Sequence, residues 1–222
     1  MNGDKLVHVL EEIRERVDLL SASLPVEVDP APYVEAGKIP FKVHRLRECL
    51  IWRMEELSRT ALMAFEAGDE AAGSLLTRGT LECVAMAWYA DTKVALAVDT
   101  GDVHSLDATV MRLLLGWKKQ PSDLPEAINV LTMIEHMARI VPEVRSAYDQ
   151  LSEVAHPNYC GLALLYSKID TEKILVNLGK TIRESDLKHQ GASSLNASLA
   201  VFELTYNQLG DRLLKLIEHL EQ

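Results

Sequence analysis

The 222 residues can bury a substantial core, and 48% apolar with 25% charged residues is ordinary globular composition, which excludes a disordered or fibrous chain. Acidic residues outnumber basic ones, 33 to 23, and the net charge of −10 repels a nucleic-acid backbone at long range. No apolar run approaches the ~18 to 20 residues of a membrane span, and the first residues carry acids from Asp4 onward, so no membrane partner and a cytoplasmic location are expected.

Leu6, Leu10, Ile13, Val17 and Leu20 alternate steps of four and three, which predicts a first helix with one apolar stripe. Three prolines and a glycine in the fifteen residues from Val26 to Pro40 cannot continue it and read as an extended linker. A second helix follows to about Glu66, with Leu46, Leu50, Met54, Leu57, Ala61 and Phe65 inward, and Gly68 stops it. Asp69 suits the N-cap of a third helix whose segment 83–90, CVAMAWYA, is apolar on all sides and central to the core. Asp102 caps a fourth helix carrying Leu106, Val110, Leu113, Leu114 and Trp117, and residues 120–125 turn. Asp123 and Glu126 have capping-box spacing for a fifth helix, Pro142 fits the start of a sixth, and Pro157 ends that helix near His156. Trp52, Trp88 and Trp117 all lie in apolar helical stretches and read as core.

After Leu162 the pattern changes to two short apolar, β-branched runs joined by Asp170, Thr171 and Glu172, which predicts a β-hairpin. The polar segment 181–194 reads as a loop. Leu195, Leu199, Phe202, Tyr206, Leu209, Leu213, Leu216 and Leu220 then form an unbroken stripe, either packed inside the bundle or serving as a dimer seam. The expected fold is mainly α, a helical bundle with a small hairpin near 162–178. It reads as one domain over 1–222, with an N-terminal helix at 1–24, a linker at 25–39, core helices at 40–157, hairpin and loop at 158–192 and a long C-terminal helix at 193–222.

The three cysteines, Cys49, Cys83 and Cys160, are widely spaced without a CxxC pattern, and the seven histidines, His44, His104, His136 and His189 among them, lack ligand spacing, so neither metal nor cofactor is expected. Arg78 and Glu82 stand one turn apart on a stripe shared with Leu75, Met86 and Tyr89, placing two opposite charges on an apolar helix face. They read as a structural ion pair or, if His156 joins them from the end of the sixth helix, as a candidate catalytic cluster. Tyr148 and Asn158, in the same AYDQLSEVAHPNYCG segment as His156, are candidate ligand-binding residues.

The helix RGTLECVAMAWY followed by YDQLSEVAHPN resembles bacterial helical proteins of the HEPN-like type, over roughly residues 45–160. That resemblance implies a helical bundle, commonly a homodimer, acting in defence or stress as a metal-independent ribonuclease or as a binding module. Active members carry an arginine four to six residues before the histidine; here those places hold Gln150, Leu151 and Ser152, and Arg145 is further upstream. The leading expectation is therefore a homodimeric interaction or ligand-binding module with a possible protein partner. The alternative is a ribonuclease in which His156 moves the proton and Arg78 steadies the phosphate, with RNA as partner only in that case.

Overall fold

A computed structural model describes residues 2–118, 123–180 and 186–221. In chain order it contains α1 (Asn2–Ala22), a 3-10 turn (Ala31–Tyr33), α2 (Lys38–Glu66), α3 (Glu70–Thr100), α4 (Val103–Leu115), α5 (Val130–Ala138), α6 (Glu143–Ala155), a π-helical turn (Tyr159–Leu164), β1 (Ser167–Asp170), β2 (Leu175–Leu178) and α7 (Asp186–Leu220). The protein is mainly α with one small antiparallel hairpin, in which Ser167 pairs with Leu178 and Asp170 with Leu175. Among the described residues no helix is long and apolar enough to cross a membrane.

The chain divides into two compact units, and the divisions fall within α2, α3 and α7, so each of these helices contributes to both. The first unit comprises Met1–Ala22, Met54–Leu81 and Pro142–Ala200. Ile13 and Val17 of the α1 stripe are buried there, with Phe65, Tyr148, Leu151, Val154, Leu195 and Leu199. Phe65 sits against two glycines: a Cβ at Gly73 of α3 would lie 2.5 Å from its ring, and one at Gly191 of α7 would lie 2.8 Å away. Only residues lacking a side chain allow those helices so close to the phenyl ring. Asn196 of α7 is tied to α1 twice, accepting from Arg16 Nε at 3.1 Å and donating to Glu12 at 2.6 Å.

The second unit comprises Ser23–Arg53, Glu82–Val141 and Val201–Gln222. Its core draws Val43, Leu46, Leu50 and Ile51 from α2, Val84, Ala85 and Val94 from α3, Leu106 and Val110 from α4, Met133, Ile134 and Met137 from α5, and Phe202, Leu209 and Leu216 from α7. The Asp102 cap of α4 is present, its carboxylate accepting from the Ser105 amide at 3.0 Å. Arg212 reaches Asp91 at 2.7 Å, and burial still holds the Asp91 carboxyl above its ordinary pKa against that cation.

Three expectations differ from the structure. The fifth helix opens at Val130 behind an Asn129 cap, because Trp117 donates to Pro125 and accepts from Ala127, which ties up the backbone where the Asp123–Glu126 box would start a helix. The turn expected at 120–125 and the loop expected at 181–194 lie partly outside the described residues. From Asp186 onward, however, the chain is already helical, so α7 starts seven residues before the expected 193, and Gly191, inside the expected loop, leaves room for the Phe65 ring. Trp52 and Trp117 are exposed, because Trp52 faces outward from α2 and Trp117 lies past the end of α4. The stripe of α7 is buried from Leu195 to Leu216, apart from a half-buried Tyr206, and is thus used up by packing within the chain.

Candidate functional site

In the first unit Arg78 of α3 donates from Nη2 to the Tyr148 hydroxyl of α6 at 3.1 Å, and its guanidinium carbon stands 5.1 Å from the ring centre. Tyr148 is buried, so this charge-assisted bond fixes a tyrosine in the core. Glu82 follows Arg78 by one turn and is partly exposed. His156 occupies the C-cap of α6 with extended backbone, as the following proline dictates, and its side chain is exposed. Its hydrogen bonds run through the backbone, the amide donating to Ser152 and the carbonyl accepting from Asn158. The structure brings Arg78 to Tyr148; among the described residues no hydrogen bond or ion pair joins His156 to Arg78. Asn158 caps the π-helical turn, accepting from the amides of Cys160 and Gly161 at 2.9 and 3.1 Å and donating to Glu153 at 2.6 Å. Its amide is committed to holding that turn.

The second unit contains a cluster that sequence reasoning missed. His44, Arg47 and Glu48 are neighbours on α2, and the Glu48 side chain is only 7% exposed. A carboxylate so enclosed is tolerable only with compensating donors. Arg47 Nη1 and His44 Nε2 both meet Oε1, the latter at 3.2 Å, and the Tyr206 hydroxyl of α7 donates to Oε2 at 2.7 Å. Arg47 also lies 3.5 Å above the Tyr206 ring and donates to its backbone carbonyl at 3.0 Å. On the far side of the imidazole, His44 Nδ1 is hydrogen-bonded to the hydroxyl of Tyr33, which the 3-10 turn carries.

Burial, and then the bond to Glu48, push the Tyr206 phenol above its ordinary pKa. Burial followed by the Glu48 charge does the same to Tyr33. Both phenols therefore keep their protons, and Tyr206 donates its own to Glu48. His44 thus stands between the Glu48 carboxylate, 3.2 Å from its Nε2, and the Tyr33 hydroxyl at its Nδ1.

Glu48 lines an open groove of about 340 Å³. Phe41, Arg45, Cys49 and Trp52 of α2 form one side and residues 25–28 of the linker the other. Trp52 Nε1 donates to the Pro25 carbonyl at 2.7 Å and so straps the linker against α2. Arg45, Cys49 and Trp52 are exposed there. The arrangement offers a fixed floor, an apolar wall and charged groups, Arg45 and Glu27, at hand. The available sequence signal was the i, i+4 pair His44/Glu48, the same spacing that singled out Arg78 and Glu82; the tyrosines that complete it come from distant parts of the chain. Among the described residues no group of three or more His, Cys, Asp or Glu could hold a metal ion. Comparison of the chain with models of known protein families, with characterised proteins and with solved structures gives no match.

Proposed function

We propose that this chain is a helical binding module whose groove beside Glu48 takes a small molecule with an apolar body and one charged end. The observation that carries the reading is the groove's construction: a buried carboxylate saturated by Arg47, His44 and Tyr206 forms a fixed floor, beside which Phe41 and Trp52 offer apolar surface. Mostly apolar concavities with a few positioned polar groups are the usual form of small-ligand sites. Because its donors satisfy both oxygens of Glu48, charge recognition falls to the exposed Arg45 and Glu27, and no step here requires a catalytic residue. The HEPN-like resemblance is compatible with this reading, since it includes binding modules linked to defence or stress.

Aromatic carboxylate and aromatic amine fragments test it, with alkylation of Cys49 by iodoacetamide as the local readout and buried Cys83 as the internal reference. Burial raises the Cys83 thiol pKa to about 11, which keeps it unreactive. One fragment class should protect Cys49, and Arg45→Ala (for carboxylates) or Glu27→Ala (for amines) should abolish the protection. Protection by neither class rejects the groove. Metal-free RNA cleavage that disappears in His156→Ala would instead establish the ribonuclease alternative.

A further inference from the structure

We infer that Lys93 of α3, with His136 and Arg139 at the end of α5, forms a second binding site, one that takes a phosphoryl group. All three residues lie in the second unit, and none of them lines the groove beside Glu48. Tyr89 is the wall they share: Lys93 Nζ stands 5.1 Å from the centre of its ring, and the His136 imidazole meets the same ring edge-on, also at 5.1 Å. Arg139 is the C-cap of α5, about one turn on from His136. Burial first, and then the charges of Lys93 and Arg139, hold the His136 pKa below its ordinary value, so cations from two elements act on one imidazole.

A chain with 33 acids and 23 bases has carboxylates to spare, yet among the described residues neither the Lys93 nor the Arg139 side chain forms an ion pair. Asp91, the acid nearest to Lys93 in sequence, is held by Arg212, and Glu135 of α5 has a partner of its own. Cations gathered without an acid repel one another, and a bound anion removes that cost. The Nδ1 of His136 is buried without a hydrogen-bond partner, which leaves Nε2 of the half-buried ring as the nitrogen that can meet a ligand. Two cations and an imidazole suit a doubly charged tetrahedral oxyanion, whose oxygens can be approached from several directions. A planar carboxylate needs only one arginine and its two parallel bonds. The C-terminal end of α5 opposes an anion with about half a charge, which two full cations outweigh. Leu96, one turn on from Lys93, and Ile140, next to Arg139, are exposed and offer apolar contact to an organic body carrying the phosphoryl group.

Inorganic phosphate, phenyl phosphate and benzoate, titrated into the full chain at pH 7.5 and constant ionic strength, test the site. The readout is the NMR signal of the His136 Cε1 proton, assigned by its loss in His136→Gln. Both phosphates should move it along a saturating curve with a dissociation constant on the order of a millimolar, while the other histidine signals stay in place. Phenyl phosphate should bind more tightly than inorganic phosphate, through Leu96 and Ile140; equal affinities would assign the site to the free ion. Lys93→Gln and Arg139→Gln should each weaken binding about fivefold, and Lys93→Arg should not. Far-UV circular dichroism checks that each variant keeps its helices. A shift of the His136 signal that does not saturate, affinities indifferent to both glutamine variants, or benzoate bound as tightly as phenyl phosphate would each overturn the inference.

Discussion

Helix α2 supplies a closely surrounded side chain to each unit, Phe65 to the first and Glu48 to the second, and the two are held by different physics. Phe65 is fitted by shape: Gly73 and Gly191 give up their side chains so that two backbones can approach the ring. Glu48 is fitted by hydrogen bonding: Arg47 and Tyr206 each bring a donor, and His44 Nε2 lies 3.2 Å away. An apolar enclosure has no directional requirement beyond volume, whereas a carboxylate demands particular atoms at particular distances. The polar end of α2 is accordingly the end that can position a ligand, and the apolar end is the one that sets how closely the helices pack.

Phe65→Ala should give the largest effect. It leaves a void that two glycines cannot fill, at a cost of about 3 to 5 kcal/mol in urea denaturation. A cost below about 1 kcal/mol would mean that the close approach of α3 and α7 does not depend on the ring. Glu48→Ala should come next, at about 3 kcal/mol, because it strands a largely buried Arg47. Glu48→Gln keeps the shape and one acceptor and should cost about half as much. Tyr206→Phe, which removes a single bond to a charged acceptor, should cost about 1.5 kcal/mol. If Glu48→Gln matches the wild type, the charge is unnecessary and the contrast between the two ends of α2 disappears.

That contrast also explains what could be read from the sequence. The apolar stripes of α1, α2, α4 and α7, the Asp102 cap and the hairpin are local patterns, and the periodicity of each marks it directly. The polar segment 181–194 reads locally as a loop, whereas Gly191 within it has a tertiary use, room for a ring contributed from 126 positions away. The spacing pairs Arg78 with Glu82, but its Tyr148 partner lies 70 positions away and cannot be found by spacing. Glu48 was passed over because it lies among the apolar residues of α2, and its donor Tyr206 is 158 positions distant. Trp52 shows the same limit, since an aromatic residue on a helix does not announce whether it faces a core or a groove.

His136 offers the smallest and most selective test, because it lies between the two cases: a titratable ring packed as though it were apolar. On α5 it meets Tyr89 of α3 edge-on at 5.1 Å, and its Nδ1 is buried without a hydrogen-bond partner. Burial, followed by the nearby charges of Lys93 and Arg139, depresses its pKa below the ordinary 6.5. The folded state therefore binds this proton less readily than the unfolded chain. Its contribution is fully present above pH 6.5 and is lost as the pH falls from there toward the depressed folded value. Melting temperatures measured between pH 7.5 and 5 should decline for the wild type, and His136→Phe, which keeps a ring against Tyr89 but cannot be protonated, should decline less. Subtracting the two curves removes the histidines they share. A difference that does not change with pH would show that the imidazole acquires its proton equally well in both states, and that His136 belongs with Glu48 as a solvated or partnered group rather than with Phe65.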